Sequence, residues 1–288
     1  MAGLYAEMRR RIAAAADDPE GRAAIPGVTL HAVRTPSVPA RVLFQPTLYL
    51  VVQGAKRLML GDREITYGGG ELVLMGLDLP ALVQVTRASE DEPYLSMEIA
   101  LDRQVLAALA AEMPSGSRDD AEALTVGPLP AAVLEPALRL LQLMDVPTDA
   151  RVLADAVKRE ILYRVLSSPG GASLTQLIQA DSLLARIGQV TEWMRDHLEE
   201  PIRIDELASR AAMSVTSFHR GFKSVTGTSP GRYHKMLRLH EARRLIVARS
   251  DNLVRISAAV GYVSPSQFSR DYKREFGSAP VVDARRFG

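Results

Sequence analysis

Two sets of side chains, fifty residues apart, carry groups that can read a nucleic acid. Thr216, Ser217, His219, Arg220 and Lys223 form the first set; Ser266, Gln267, Arg270 and Lys273 form the second. An arginine can hold the guanine edge with two hydrogen bonds, and a glutamine can do the same for adenine. A small hydroxyl residue can bond a base edge or meet a thymine methyl. A lysine one turn further along is better placed for a phosphate, which fixes register without reading sequence. Arg220 and Arg270 have a structural alternative, an ion pair or phosphate clamp that supports the fold. His219 is a lone histidine, so it is an exposed helix residue or a DNA contact and not a metal ligand.

Side chains that read a groove must be held on a helix, and the surrounding sequence supplies one twice. Ala208–Pro230 reads ASRAAMSVTSFHRGFKSVTGTSP, and Ala258–Pro280 reads AAVGYVSPSQFSRDYKREFGSAP. Aligned without a gap, they share Ala208/Ala258, Ser214/Ser264, Phe218/Phe268, Arg220/Arg270, Lys223/Lys273, Gly227/Gly277 and Pro230/Pro280. Such a repeat means that one supersecondary unit was built twice. Ser214 and Ser264 stand where a helix N-cap is needed. Phe218 with Phe222, and Phe268 with Tyr272, lie four apart on a face that can enter a core. Each glycine suits a helix C-terminus, and each proline stops further helix. Gly261 falls in the second turn, and Pro265 fits the first turn of a helix. The spacing predicts helix-turn-helix units at about 204–226 and 254–276.

A continuous helix over Gly231–Ala248, with Tyr233, Leu237, Leu245 and Ile246 as its apolar side, is expected between them. Its rod of ~27 Å could hold two recognition helices about one DNA turn, ~34 Å, apart. A helix over Ser182–Leu198, with Trp193 and Leu198 inward, should open this part of the chain.

These residues carry a resemblance. GYVSPSQFSRDYKREFGSAP resembles the signature of the AraC/XylS family of bacterial transcription regulators. MSVTSFHRGFKSVTGTSPGRYHKMLRLHEARRL is similar to the family's first helix-turn-helix and connecting helix, and the likeness spans roughly Ile187 to Val282. Upstream, PTLYLVVQGAKRLMLGDREITYGGGELVL and PYLSMEIALD resemble the cupin-like sensor domain of an AraC subfamily.

Composition agrees with a two-part chain. At 288 residues, 47% hydrophobic and 24% charged, it has the size and make-up of two globular domains, expected at 1–180 and 181–288. A net charge of +1 hides an asymmetry. Residues 181–288 hold 18 Lys/Arg against 12 Asp/Glu, whereas residues 1–180 hold 17 against 22. A basic half beside an acidic half points to a polyanionic partner for one half only. The absence of cysteine excludes disulfides, thiolate catalysis and Cys-bound zinc, and it fits a reducing cytoplasm. No run of 18 apolar residues is present, so no membrane span is expected. Residues 1–25 read as a helix with a frayed end and not as a secretory signal.

The first half should be an antiparallel barrel followed by helices. TLYLVVQG, AKRLMLGD, REITYGGG, ELVLMG, LVQVTR and YLSMEIAL are short runs separated by Gly, Asp and Pro. They place the barrel at about 28–101. Helices follow over about 102–166, with Asp102 capping the first, Pro136 interrupting the second and Thr148 or Asp149 capping the third. In that third helix Leu153, Val157 and Ile161 form a stripe that packs on the chain's own barrel or pairs with a second copy. The family resemblance favours the homodimer. Residues 167–180 read as a break and a short linker.

The barrel's chemistry is sparse. Residues 1–180 contain one histidine, His31, expected at a surface or strand end, so no metal site or other cofactor is expected. Gly68–Gly70 precedes no helix and is a turn, not a phosphate cradle. Leu95, Met97 and Ile99 share one strand face and should point inward, giving a mainly apolar cavity. Tyr49, Gln53, Gln84, Leu95 and Met97 are the candidate effector contacts. Arg41 and Arg57 are candidate carboxylate anchors or solvated surface arginines.

The expected fold class is therefore α+β. It has a cupin-like antiparallel barrel with dimerisation helices, then an all-α domain with two helix-turn-helix units joined by a long helix. The resemblance implies a non-enzymatic transcription regulator whose partners are double-stranded promoter DNA, a small-molecule effector and a second copy, with RNA polymerase a further candidate. The rival readings are a cupin-like enzyme with a DNA tether and a ligand-independent architectural DNA-binding protein.

Overall fold

Strand-forming runs in the first half pair into two antiparallel sheets in the computed structural model, which describes residues 2–18, 25–112, 122–168, 182–248 and 252–286. The strands are β1 (Val28–Val33), β2 (Ala40–Phe44), β3 (Thr47–Gln53), β4 (Ala55–Leu60), β5 (Arg63–Gly68), β6 (Glu71–Met75), β7 (Leu79–Arg87), β8 (Tyr94–Ala100) and β9 (Leu124–Pro128). One sheet runs β1-β8-β3-β6-β9, the other β2-β7-β4-β5. The expected closed barrel is thus a pair of facing sheets. No hydrogen-bonded ladder joins them among the described residues, and buried side chains from both sheets line the space between. β9 also corrects the expected all-helical stretch after residue 101. It pairs with β6 through Val73↔Val126 and adds an edge strand to the first sheet.

The first sheet is covered by helices on its outer face. α1 (Ala2–Ala16) lays Met8 and Ile12 on it, both fully buried. α2 (Arg103–Glu112) is capped by Asp102, whose Oδ1 accepts from the backbone N–H of Gln104 and Val105 at 2.8 and 3.2 Å. α3 (Ala131–Gln142) runs through Pro136 without ending, and the proline is buried. α4 (Pro147–Leu166) starts on Pro147, with Val146 and not Thr148 or Asp149 at the cap position. Proline presets the helical φ and has no N–H to leave unpaired, so the start needs no side-chain cap.

This helical layer reverses the expected facing of β8. Leu95, Met97 and Ile99 pack with Met8, Leu134 and Ile161 beneath the helices. Tyr94, by contrast, joins the core between the sheets with Tyr49 and Tyr67. A sheet buried on both faces must choose which face is greasier, and here the helix side wins. The expected α4 stripe is also divided. Ile161 is buried and Val157 is half-buried against that core, whereas Leu153 is 46% exposed. The expected linker falls largely on residues 169–181, outside the described residues.

The second half is helical: α5 (Leu183–Asp196), α6 (Ile204–Arg210), α7 (Val215–Thr226), α8 (Pro230–Val247), α9 (Leu253–Ala259), α10 (Pro265–Phe276) and α11 (Pro280–Arg286). Its first portion does not stand apart from the sheets. Leu184, Ile187, Phe218, Phe222 and Tyr233 belong to the same buried cluster as Tyr49, Val73 and Tyr94. The Tyr233 hydroxyl donates to the carbonyl of Asp78 at 2.7 Å, and Arg195 pairs with the Asp78 carboxylate at 3.0 Å. Gly61, in the β4–β5 turn at φ +60, lies so close to Gly227 that a Cβ on it would overlap the Gly227 carbonyl oxygen. Trp193, expected inward, is half-buried instead. It stacks on His197 at 4.4 Å between centroids and meets the Arg210 guanidinium at 4.5 Å.

Candidate nucleic-acid interface

Each recognition helix is defined at both ends by its own sequence. The Ser214 hydroxyl accepts from the N–H of Ser217, and the Ser264 hydroxyl from that of Gln267, both at 3.3 Å. Such a cap contributes about 1 kcal/mol. Gly227 and Gly277 close the helices in the left-handed conformation, at φ 73° and 78°, each N–H bonding back to Lys223 or Lys273. On the inner face Phe218, Phe222, Phe268 and Tyr272 are at most 1% exposed. Their rings meet edge to face, Phe218–Phe222 at 5.4 Å and Phe268–Tyr272 at 5.6 Å.

With the aromatic side fixed inward, the polar side has one direction left. Thr216, His219, Arg220 and Lys223 are exposed on α7, and Ser266, Gln267, Arg270 and Lys273 are exposed on α10. Ser217 is half-buried, its hydroxyl accepting from that of Ser214 at 3.0 Å, so it serves the cap. Among the described residues no ion pair engages Arg220, Lys223, Arg270 or Lys273, in contrast to Arg203, Arg243 and Arg274 nearby. The ion-pair alternative for the two repeated arginines therefore has no partner among those residues.

The turns show what the gapless alignment concealed. α6 and α9 are offset by 49 residues, α7 and α10 by 50. The second turn thus has one additional residue. Ala208 corresponds in space to Ser257, both buried, and not to the exposed Ala258. The positive-φ position is Ala212 (φ 49) in the first unit and Gly261 (φ 77) in the second. Two arginines outside the repeat hold these turns. Arg186 of α5 donates to the carbonyls of Ala211 and Ala212. Arg238 of α8 donates to those of Leu198, Glu200 and Gly261. Sequence reading missed both, because a carbonyl clamp leaves no pattern beyond a lone arginine on a helix.

The effector candidates are not brought together. Tyr49 lies in the core between the sheets, 7% exposed. Gln53 donates to the Pro93 carbonyl at 3.0 Å and lines a separate cleft of about 560 Å³ with Tyr5, Arg9 and Arg87. Gln84 donates to the Ser37 carbonyl at 3.0 Å. Leu95 and Met97 sit under the helical layer, on the far side of their sheet. His31 is no lone surface residue. Its Nε2 is 2.7 Å from the Glu98 carboxylate. Arg57 pairs with Glu64 at 3.6 Å, and Arg41 with Glu275 at 3.8 Å. Arg41 also lines a cleft of about 510 Å³ with Lys223 and Arg232, where the sheets meet the first helix-turn-helix unit.

Comparison with known proteins gives these features a setting. Residues 24–173 match the family described as "AraC-type transcriptional regulator N-terminus", and residues 207–286 match a helix-turn-helix domain. The chain is similar to the HTH-type transcriptional activator RhaS of Escherichia fergusonii, 33% identical over 129 residues that cover 44% of this chain and 46% of that protein. It is also similar to RhaS of Klebsiella pneumoniae, 30% identical over 141 residues, 49% of each chain. These matches span about half the length of the relatives. In fold it resembles ToxT of Vibrio cholerae. The apo variant gives a TM-score of 0.62 at 11% identity, covering 91% of this chain and 97% of that one. The unsaturated fatty acid bound form gives 0.60 at 12% identity, covering 89% and 94%.

Proposed function

The chain belongs to the AraC-type transcriptional regulators, and from that premise we propose that it binds promoter DNA through both helix-turn-helix units and adjusts that binding to a small organic effector. The observation that carries this reading is the pair of capped helices. Each presents to solvent a hydroxyl residue, a lysine and an arginine that has no ion pair among the described residues, and an 18-residue rod, α8, joins them. At ~1.5 Å per residue the rod is ~27 Å long, which suits successive major-groove entries ~34 Å apart. Arg220, Arg270 and Gln267 read base edges, and Lys223 and Lys273 hold phosphates. The division into a sensing domain, 1–180, and a DNA-binding domain, 181–288, falls within residues 169–181. RNA polymerase is the partner the bound protein meets at a promoter in the cytoplasm. No helix among the described residues is long and apolar enough to cross a membrane.

The test is a site selection from randomised DNA. Arg270→Ala should relax preference at one base position and cost ~1–3 kcal/mol, whereas Lys273→Ala should weaken all sequences alike and lower the salt dependence. An unchanged motif for Arg270→Ala would restrict that arginine to positioning.

The effector reading rests on the N-terminal sheets. A protein of this fold, ToxT, has been solved with an unsaturated fatty acid bound. Ligand binding would favour one arrangement of the two halves by its difference in affinity between arrangements. We place the dimer contact on the outer face of α4, where Val152 is 76% and Tyr163 45% exposed, with Ala156 between them. Val152→Glu should give folded monomers by light scattering and circular dichroism. A variant that is still dimeric would move the interface elsewhere.

A further inference from the structure

The inner faces of the two sheets hold a polar cluster that is complete at one end and incomplete at the other. The register sets Glu98 of β8 opposite Tyr49 of β3, and Ser96 opposite His31 of β1. Glu98 is fully served. Its Oε2 lies 2.7 Å from His31 Nε2, and its Oε1 accepts from the Thr47 hydroxyl at 3.4 Å. Burial pushes the Glu98 carboxyl up, but hydrogen bonds from His31, Tyr49 and Thr47 outweigh it and hold the group below the usual carboxylate range.

The other end has donors and, among the described residues, no acceptor beyond the pair itself. Tyr94 and Ser96 are both 0% exposed; Ser96 lies close enough to act on the Tyr94 hydroxyl, and neither hydroxyl has a hydrogen bond to any other described group. Lys56 of β4 reaches across from the second sheet, its Nζ 4.2 Å from the centroid of the Tyr94 ring. No carboxylate pairs with Lys56 among the described residues. Burial draws its ammonium down to about 8, only partly opposed by Glu98. Buried polar groups are as a rule hydrogen-bonded, and each one left unpaired is destabilising. A hydroxyl pair with no bond outside itself, beside an ammonium with no carboxylate on it among the described residues, is thus a site still short of acceptors.

The missing group follows from the inventory. An ammonium can only donate, and the hydroxyls can donate as well, so the complement is rich in acceptors. One positive charge in a desolvated place matches one negative charge. An amine does not fit, because Lys56 repels it and the Glu98 carboxylate already has its partners. The rings of Tyr49, Tyr67 and Tyr94 form the apolar part of the same cluster. At the acidic end the His31 and Glu98 side chains are 32% and 27% exposed, so that end of the cluster lies at the surface. We infer that Lys56, Tyr94 and Ser96 are built to hold the carboxylate of a small organic acid, whose body lies against the tyrosines. This rests on the reading of these sheets as the effector-binding part of a regulator.

The test uses the full chain and two matched pairs of probes: sodium benzoate with benzamide, and sodium hexanoate with hexanamide. At least one carboxylate at millimolar concentration should raise the thermal midpoint, and by calorimetry its amide should bind at least tenfold more weakly. Lys56→Met, which keeps the stem and removes the charge, should weaken the carboxylate by tenfold or more. Tyr94→Phe and Ser96→Ala, which keep the ring and the strand, should each weaken it severalfold, and they carry the test if Lys56→Met fails to fold. Equal binding of acid and amide, affinity unchanged in these variants, binding of hexylamine in place of the acids, or no shift with either carboxylate would overturn the assignment. DNA binding of the same preparation without ligand is scored separately. A chain that takes the carboxylate through Lys56 yet binds no promoter DNA sinks the regulator reading and leaves the site standing.

Discussion

The two helix-turn-helix units have closely similar recognition helices and different foundations. The first shares its core with the N-terminal sheets. Phe218, Phe222 and Tyr233 lie in one cluster with Tyr49 and Val73, and the Tyr233 hydroxyl ends on the Asp78 carbonyl. The second has a core of its own, built from Leu239, Ala242, Ile246, Ile256, Val260, Phe268 and Tyr272. It is closed from within. Asp283 of α11, 1% exposed, accepts from the hydroxyls of Tyr272 at 2.8 Å and Ser278 at 2.6 Å, and Arg243 lies 3.6 Å away. Tyr233 and Asp283 occupy matching places, three residues beyond the repeated prolines. One side chain reaches out of its unit; the other gathers its unit together. A duplicated motif has therefore been given one copy whose core is shared with the sheets and one whose core is its own, joined to the sheets at its surface by the Arg41–Glu275 pair.

The sharpest way to break this contrast is to empty each core. Phe222→Ala and Phe268→Ala each remove a fully buried ring, and each should cost ~3–5 kcal/mol. Their reach should differ. Phe222→Ala should raise hydrogen exchange in the sheets as well as in α6–α8, whereas Phe268→Ala should raise it in α9–α11 alone. Equal spread from both substitutions would abolish the distinction.

Acid should act next, on the rod between the units. His234 and His240 of α8 have buried Nε2 atoms with no hydrogen-bond partner among the described residues. Burial first, and then Arg238 beside His234 and Arg243 beside His240, draw each from 6.5 down to about 4. The folded state therefore prefers both neutral. The stability this supplies is complete above pH 6.5 and is lost as the pH falls towards 4, at up to ~1.4 kcal/mol per pH unit for each histidine. Urea midpoints between pH 7.5 and 4.5 should fall on that slope, more shallowly in His234→Gln. A flat profile would show that these side chains find solvent.

The smallest effect sharpens the comparison at the turns. Ala212 adopts the left-handed φ that Gly261 supplies in the second unit. Ala212→Gly should therefore be neutral or stabilising, by up to ~1 kcal/mol. Gly261→Ala should be worse than the reverse change, because its Cβ would lie 2.6 Å from the Arg238 guanidinium. A denaturation midpoint that falls for Ala212→Gly would mean that the alanine is not strained.

The sequence made the second half legible because its signals are local. Caps, aromatic spacing and terminal glycines act within a dozen residues; the helices span 204–226 and 253–276, against the expected spans of about 204–226 and 254–276. The gapless repeat erred by one residue in α9 because an added turn residue, Val263, leaves no gap in so short a comparison. The first half was legible as strands and opaque as an assembly. Alternation along β8 separates Leu95, Met97 and Ile99 from Tyr94, Ser96 and Glu98, but it cannot say which set meets helices and which meets a second sheet. The choice is made by α1, α3 and α4, distant in sequence. For the same reason the effector candidates scattered, and the pairing of His31 with Glu98 went unseen across 67 residues of chain.

The shared core also imposes an order of assembly during synthesis. The sheets leave the ribosome first, and the apolar face of α5 and α7 has its seat ready when it emerges. The second unit forms from contacts within about fifty residues and can close quickly by itself, as short-range topologies do. A chain whose sheets were slow to form would therefore carry a finished second unit beside an unfinished first one, with Phe218 and Phe222 open to capture by other chains until their seat arrived.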